Sequence, residues 1–448
     1  MIDAVESRRR AADRDQKSTG SGDIFKGWWL QSFGYALAAL YLVYFIILYR
    51  SGNWIVRSTG QPIYTDFGNA WAAGLQALHG NAAALYVPAE LAKIKTALFG
   101  RTAFFYTNWP YPPTFFLILA PLSLLPYLYA FIAWDAVTLL GCLLVVYLIV
   151  RSRPAIALAL ATPFTAWNFL AAHNGFLTAT FLGASLLCLE RRPLVAGIFI
   201  GCLTYKPQFG ILIPVALVAA QKWRATAAAA VAAGILLGVS IAAFGTGVWM
   251  EFPRQLVAQT GVNLLSDADS NWGYLQSVYG LVRTLHGSSG LAWVAQAITT
   301  AGAAAIAWIV WRSRISHPLK SAALSAAALL ATPYAFAYDM AALVVPAAFL
   351  AKDQLSRGLL AGEKAMWIVL FGVPLAVLVT LGDNAGQTTF GGTPVSLLTT
   401  VILLAVVVRR AAAMPAGTRS PSEATTPDQP TNSAPIISAA AQPSPLGP

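Results

Sequence analysis

Long apolar runs take up most of this chain, and they limit what it folds into more than any other feature. The first run extends from about Trp28 to Tyr49, long enough for a helix to cross a hydrocarbon core. Of the 448 residues, 57% are hydrophobic and only 10% are charged, whereas about a quarter of the residues in soluble domains are charged. A chain with so few charged side chains cannot cover a water-facing protein surface. We therefore expect lipid to be its main solvent.

Further apolar runs follow the first, and together they predict an all-α polytopic bundle of about 11–13 transmembrane helices. The run at 112–126 is short and bounded by prolines, which predicts a re-entrant or broken helix that does not cross. Lys206 and Pro207 interrupt the run at 194–220, which predicts either one kinked helix or two half-helices. The remaining predicted spans are 128–150, 154–171, 174–190, 225–244, 291–311, 319–334, 338–351, 365–381 and 394–408.

Basic residues give a formal net charge of +11 and cluster at the ends of apolar runs. This placement follows the positive-inside rule, so it indicates cytoplasmic N- and C-termini and no binding of nucleic acid. The polar outer loops are then predicted at about 50–111, with amphipathic helices, and at 245–290. The predicted membrane domain is 28–410, and the polar segments 1–27 and 411–448, the second rich in Pro, Ala, Ser and Thr, are predicted to be disordered.

Motifs for ATP, NAD or proteolysis are absent, since the sequence has no GxxxxGK[ST], GxGxxG, HExxH or GxSxG. The three cysteines lie in apolar runs and the four histidines are scattered, which predicts neither a disulfide framework nor a zinc site. Asp267 and Asp269 form a DxD pair, but no nucleotide-binding domain surrounds them. We therefore expect two solvated acids, and neither a metal nor another cofactor.

Two charged residues are the first candidates for chemistry. Asp66 lies early in the first predicted outer loop. It is a candidate general base that would deprotonate an acceptor hydroxyl group. The alternative is a role without chemistry, as a helix N-cap or a solvated acid. Lys206 lies in an apolar run, where a lysine costs roughly 2.5–3.5 kcal/mol on insertion scales. Pro207 starts a half-helix whose N-terminus attracts anions, so this position suits a phosphate; a lysine snorkelling to an interface is the alternative.

Polar residues at two further positions share the predicted outer face. His173 and Asn174 precede Gly175 between two spans, where they either donate hydrogen bonds to a sugar or phosphate or form a polar turn. Asp339 begins a predicted helix and is either an N-cap or a sugar ligand. Spacing alone does not choose between these roles.

Several segments occur in an order that resembles glycosyltransferase family 87, bacterial membrane enzymes of the GT-C class. They extend from about Asp66 to Phe349 and include DFGNAWAAGLQALHGNAAALY, YPPTFFLILAPLSLLP, HNGF, GCLTYKPQ, LQSVYGLVR and TPYAFAYDM. The family includes polyprenyl-phosphate-mannose-dependent α-mannosyltransferases. The resemblance thus implies a GT-C-like bundle. It also implies transfer of a hexose, with mannose as the first candidate, or of a pentose, from a polyprenyl phosphate sugar to a glycan or lipid acceptor. It places this reaction, with inversion at the sugar, at the outer face of the bacterial cytoplasmic membrane.

The resemblance also implies roles for individual residues. Asp66 matches the acid expected to be the general base, and Lys206 and Gln208 match a KPQ motif expected to contact the donor phosphate. Phe176 departs from the family, which often has Gln after the Asn-Gly pair. The candidate substrate-binding residues are His173, Asn174, Gln276, Ser277, Tyr338 and Asp339.

Two other functions stay open at this point. A membrane transporter or lipid flippase shares the apolar runs, broken helices and buried lysine, but it predicts internal repeats, and none is visible. An O-antigen polymerase or ligase also has a long outer loop, but it usually relies on arginines there. The loop at 245–290 contains only Arg254 and Arg283.

Overall fold

The described part of the chain is almost entirely helical. The computed structural model describes residues 28–100, 109–262, 272–381, 389–390 and 393–413. Within these residues, the only paired strands are the two-residue β1 (Thr389–Phe390) and β2 (Thr393–Pro394). The predicted N-terminal segment, most of the predicted tail and the Asp267–Asp269 pair lie outside the described residues.

The helices follow one another with short connections. The first nine are α1 (Trp28–Arg50), α2 (Asp66–Leu78), α3 (Pro88–Phe99), α4 (Phe116–Leu122), α5 (Tyr127–Val150), α6 (Arg153–Ala161), α7 (Pro163–Ala171), α8 (Gly175–Cys188) and α9 (Pro193–Cys202). The next nine are α10 (Ile213–Ala219), α11 (Trp223–Phe244), α12 (Thr246–Val262), α13 (Val278–Thr284), α14 (Ser289–Arg312), α15 (His317–Ala331), α16 (Val344–Arg357), α17 (Glu363–Leu381) and α18 (Val395–Ala412).

Among the described helices, α1, α5, α11, α14 and α18 are long and apolar enough to cross a membrane. A 20-residue helix is about 30 Å long, which matches the hydrocarbon core of a bilayer. The shorter apolar helices pack among these five and do not reach that length individually. The fold is thus an all-α polytopic membrane bundle. By length and composition, five of the described helices could cross, or six if α6 and α7 form one span, whereas the apolar runs predicted about 11–13.

The predicted span at 154–171 is a bent pair in the structure. Helices α6 and α7 meet at 62°. Pro163 has no amide hydrogen and disfavours helical geometry at Thr162, which is extended. The Thr162 hydroxyl then caps α7 by accepting a hydrogen bond of 3.1 Å from the Thr165 amide. The sequence contained this signal, but the apolar pattern alone predicted one span.

The predicted span at 194–220 consists of two half-helices, α9 and α10. The 3₁₀ turns Leu203–Tyr205 and Pro207–Phe209 separate them, with Lys206 between the two turns. Proline cannot donate the amide hydrogen that a continuous helix needs. Of the two structures that the sequence left open, the broken pair is correct.

The segment at 112–126 folds into a 3₁₀ turn followed by the seven-residue α4. Seven residues of helix extend roughly 10 Å, which is too short for a hydrocarbon core of roughly 30 Å. Ser123 donates to the Trp71 carbonyl oxygen at 2.9 Å, and the Trp71 indole donates to the Leu125 carbonyl oxygen at 3.1 Å. A Cβ at Gly74 would lie 2.3 Å from a backbone oxygen of α4. The segment is therefore a short, broken helix, as predicted, and it packs against α2.

The two ends of the bundle carry different polar groups. At one end, which we call the arginine end, Lys352 interacts electrostatically with Arg151 and Arg191, and Lys222 donates to Glu190 at 3.0 Å. Basic residues from several connections thus gather on one side, as the charge pattern predicts. Helices α2 and α3 cover the opposite end, which we call the site end.

Aromatic packing fixes the loop helices onto the bundle. Phe67 is fully buried, and its ring lies 5.4 Å from Phe131 and 6.3 Å from Trp134, both on α5. Trp134 in turn lies 6.1 Å from Phe115. Because Phe67 follows Asp66 directly, this cluster also fixes the position of the Asp66 backbone.

Candidate functional site

Lys206 is held inside the bundle at the break between α9 and α10. The residue is only 2% exposed. Its Nζ atom donates a hydrogen bond of 2.7 Å to Oδ1 of Asn174 and a second hydrogen bond to Oδ1 of Asp339. The ammonium group therefore does not snorkel to an interface. Instead it joins three segments that are far apart in the sequence.

Aromatic rings surround this ammonium group. Its Nζ atom lies 5.1 Å from the ring centre of Tyr338, 5.3 Å from Phe209 and 5.8 Å from Tyr111. Aromatic faces attract cations at such distances. The rings therefore stabilise the positive charge while using none of its hydrogen-bonding capacity.

Tyr111 is a site residue that the sequence analysis missed. Its hydroxyl group interacts with the side chains of Asn174 and Tyr338. Burial raises the pKa of this hydroxyl, and the negative charges of Asp339 and Asp66 raise it further, so it stays protonated. The only sequence signal was its position in the YPP motif, next to the segment predicted not to cross.

The Asn-Gly pair owes its conformation to this site. Asn174 stands at the N-cap of α8, but its side chain accepts from Lys206 and makes no capping bond. The Gly175 amide donates to Oδ1 of Asn168 at 3.0 Å instead. A Cβ at position 175 would lie 2.3 Å from the Tyr338 carbonyl oxygen, so glycine is required for this approach. The pair is thus more than a polar turn.

His173 and Asp339 complete the Lys206 side of the site. The His173 ring stacks on the Tyr338 ring with 3.3 Å between centres, and its Nδ1 atom lies 3.0 Å from Oδ1 of Asn174. Asp339 is fully buried, and its Oδ2 atom accepts from the Phe336 amide at 3.1 Å. One oxygen of Asp339 therefore fixes the local backbone while the other holds Lys206.

Asp66 lies near the same group of residues. It is the first residue of α2, and the N-cap position belongs to Thr65, so the N-cap alternative is wrong. Burial raises the pKa of Asp66 to about 6, and the positive charge of Lys95 opposes this increase. The Asp66 charge in turn raises the pKa of Tyr111 and of Tyr274. Asp66 is therefore within electrostatic range of the Lys206 site.

Gln276 and Ser277 hold the backbone that leads into the site. The Gln276 amide donates to the Ala335 carbonyl oxygen at 2.7 Å, and its side-chain oxygen accepts from the Ser396 amide at 3.1 Å. The Ser277 hydroxyl donates to the Pro333 carbonyl oxygen at 2.7 Å. The structure therefore joins both residues to the segment before Tyr338 and does not pair them with Lys206.

Two further positions named by the sequence differ in their environment. Gln208 is half-buried, and its amide makes no hydrogen bond to any part of the chain that the structure describes. It follows Lys206 by two residues, so it is close enough in the chain to contact the same ligand. Phe176 is 1% exposed and packs in the apolar core. Where the family often has a polar side chain, this chain therefore has a core residue.

The described ranges contain no candidate metal site. No group of three or more His, Cys, Asp or Glu residues suited to a metal ion occurs there. Arg254 pairs with Glu251 at 2.8 Å, and Arg283 donates to the Gly287 carbonyl oxygen at 2.6 Å. Both arginines of the segment 245–290, the second predicted outer loop, are thus engaged locally.

The fold and the site together define an integral membrane protein with a charged, aromatic-lined site at one end of an apolar bundle. The chain matches the model of glycosyltransferase family 87 over residues 109–335, slightly more than half of its 448 residues, and it belongs to that family. It is therefore a membrane glycosyltransferase. Lys206 lies within the matched range, whereas Asp66 and Asp339 lie outside it. No curated protein and no solved structure matches the chain significantly.

Proposed function

We propose that this protein transfers a sugar, with mannose as the first candidate, from a polyprenyl phosphate sugar to a hydroxyl group of a glycan or glycolipid. The observation that carries the proposal is the buried Lys206 ammonium group at a helix break, held by Asn174 and Asp339. A buried cation at a break between two helices is suited to bind a phosphate group. A phosphate carried by a lipid reaches such a site from the bilayer and needs no nucleotide-binding domain.

An apolar groove beside the site supports a lipid-linked donor. Its lining includes Met340, the residue after Asp339, and comes mainly from α5, α6, α16 and α17, as far as Val150 and Ser152 beside Arg151. The lining also includes Phe164, Val344 and Leu370. A groove of this composition favours an isoprenoid chain, since burying apolar surface needs no polar partner.

Asp66 is the general base of the proposed reaction. A base acts most effectively when its pKa is near the working pH, and burial raises the pKa of Asp66 to about 6. The carboxylate takes the proton of the acceptor hydroxyl as the hydroxyl oxygen attacks the anomeric carbon. Attack from the face opposite the phosphate inverts the configuration at that carbon.

Lys206 stabilises the leaving group. As the bond between the anomeric carbon and the phosphate oxygen breaks, its electron pair stays on the phosphate oxygen. The Lys206 ammonium group offsets the negative charge that develops there. Asn174 and Asp339 hold the lysine in position before the donor binds, so little reorganisation accompanies the reaction. Gln208, two residues after Lys206, is an additional candidate donor to the phosphate.

The site end faces the outside of a bacterial cytoplasmic membrane in this proposal. The arginine end collects Arg151, Arg191 and Lys222, and basic clusters face the cytoplasm in most membrane proteins. The donor and acceptor then meet at the outer surface. Membership of a glycosyltransferase family favours this function over transport or lipid flipping, and the local pairing of Arg254 and Arg283 gives no support to a polymerase.

Sugar transfer by the purified, full-length protein in nanodiscs tests the proposal. Radiolabelled polyprenyl phosphate mannose, glucose and arabinose are each offered with a crude extract of acceptor lipids and glycans. We expect one donor to be turned over, and Asp66→Asn to lower that turnover by about 10²-fold or more because it removes the base. Glu90→Gln is the matched control, since Glu90 is an exposed acid of the same loop.

Each outcome bears on a different part of the proposal. Full activity in Asp66→Asn would remove Asp66 as the base while keeping the lipid-linked donor. Equal losses in Asp66→Asn and Glu90→Gln would point to a general effect of loop charge. Turnover of a nucleotide sugar, with none of the three lipid-linked donors used, would overturn the donor class.

A further inference from the structure

Lys95 is a buried cation that the proposed reaction does not use. It lies on α3 and is only 1% exposed. Lys93, two residues earlier, points away, with a side chain that is 72% exposed and paired with Glu90 at 2.7 Å. A lysine is rarely buried unless it is paired, because removing its charge from water is costly. The burial of Lys95 therefore requires a reason.

Packing between α3 and α2 places Lys95 beside the first turn of α2. Its Nζ atom donates to the Tyr64 hydroxyl at 3.4 Å and lies 5.4 Å from the centre of the Tyr64 ring. Tyr64 also packs edge-on against Phe99 at 5.6 Å. Phe99 in turn touches Gly68, where an added Cβ would lie 3.1 Å from the Phe99 ring. Tyr64 and Gly68 bracket Asp66 in the chain, so these contacts place Lys95 against the segment that carries Asp66.

The charges of the two residues are coupled. Burial raises the pKa of Asp66 to about 6 against the effect of Lys95, and burial lowers the pKa of Lys95 to about 8 against the effect of Asp66. Between these values both groups are charged. The other titratable side chains that interact electrostatically with Asp66 in the described residues are tyrosine hydroxyl groups, which are neutral in this range at their ordinary pKa of about 10: Tyr111, Tyr127, Tyr274 and Tyr338.

We infer that Lys95 is a positioning residue whose buried ammonium group, held by Tyr64 beside the first turn of α2, keeps the Asp66 carboxyl group negatively charged at neutral pH. The inference rests on the proposed function only in treating Asp66 as the base. Without Lys95, burial acts on Asp66 unopposed and the protonated acid is favoured. A protonated Asp66 accepts no proton from an acceptor, so Lys95 sets the lowest pH at which the enzyme works.

An infrared pH titration of the full-length protein in nanodiscs tests this inference directly. The difference between wild type and Asp66→Asn isolates the carboxyl band of Asp66. We expect Lys95→Met and Lys95→Gln to move its titration midpoint upward by about one pH unit or more, the effect of removing a nearby opposite charge. Lys95→Arg keeps the charge and should keep the midpoint, and the exposed Lys93→Met is the matched control.

The second readout is the pH profile of sugar transfer, whose acidic limb should move upward by the same amount in the two neutral variants. An unchanged Asp66 midpoint in Lys95→Met and Lys95→Gln would overturn the inference, and so would an equal shift in Lys93→Met. If Lys95→Met does not fold, Lys95→Gln, which keeps a polar group against Tyr64, decides the question. The infrared result does not depend on turnover, so failure of the proposed function and failure of this inference are distinguishable.

Discussion

The two ends of the bundle each bury an ion-pair cluster, and the two clusters are built differently. At the arginine end, Arg410 donates to Asp353 at 2.7 Å, to Glu363 at 2.9 and 3.1 Å and to the Gly358 carbonyl oxygen at 2.8 Å. At the site end, Lys206 donates to two side chains and is otherwise surrounded by aromatic rings. Asp339 of the Lys206 cluster and Asp353 of the Arg410 cluster are fourteen positions apart in the chain, which corresponds to roughly 20 Å along a helix.

The acids at the arginine end are also fully engaged. Asp353 accepts from Ser316 at 2.7 Å and pairs with Arg357 at 3.2 Å. Glu363 accepts from Gln354 at 3.0 Å and from the Leu360 amide at 2.8 Å. Each nitrogen of the Arg410 guanidinium group thus has an acceptor within this cluster.

The difference indicates what each cluster does. A planar guanidinium group with all its donors used holds three segments in one geometry, and an intact cluster of this kind is a structural element. An ammonium group is compact, has three donors and exchanges partners easily. We expect the arginine end to determine stability and the Lys206 site to determine turnover.

The largest effect is expected from Arg410→Met. The substitution leaves Asp353 and Glu363 buried without their main partner, which should lower the free energy of unfolding by about 3–5 kcal/mol. Denaturant unfolding in detergent measures this loss. The neighbouring Arg409 is exposed and makes one hydrogen bond, to the Ala361 carbonyl oxygen at 2.5 Å, so Arg409→Met should change the stability by no more than about 1 kcal/mol. Similar losses in both variants would contradict the structural role of Arg410.

Lys206→Met should have its main effect on turnover. Removing the cation that stabilises the leaving phosphate should lower donor turnover by about 10²–10³-fold. The loss of stability should be smaller than in Arg410→Met, because one buried acid, Asp339, loses its partner, whereas Arg410→Met leaves two buried acids without theirs. Parallel measurements of turnover and unfolding in both variants sharpen the comparison. Full turnover in Lys206→Met would remove Lys206 from the donor site, and a loss of stability equal to that of Arg410→Met would make it a structural residue.

The smallest effect is expected at Phe176, where the family often has glutamine. Phe176→Gln puts an amide into a packed apolar cluster and should lower stability by about 1–3 kcal/mol without raising turnover. Phe176→Leu keeps the position apolar and isolates the cost of polarity. An increase in turnover in Phe176→Gln would show that this position reaches the substrate and that the core packing of Phe176 is incidental.

Most of the Lys206 site could be predicted from the sequence. Lys206 stood out because a charge in an apolar run is costly, and Asn174 and Asp339 stood out as polar residues beside spans. Lys95 was missed, although it lies four residues after Leu91 and four before Phe99, both buried on the same face of α3. That periodicity indicated burial, but only the packing of α3 against α2 identifies the partner.

The sequence by itself determined that this protein lies in a membrane and where two of its helices break. A chain with so small a fraction of charged residues needs lipid around it. Pro163 and Pro207 interrupt helices because the proline ring has no amide hydrogen and restricts the residue before it, effects that act within a few residues. The tertiary structure alone decided which charges meet. Lys206 and Asp339 are 133 residues apart in the chain, and Arg410 is 57 residues from Asp353. No local propensity encodes such pairings, because they follow from how all the helices pack together.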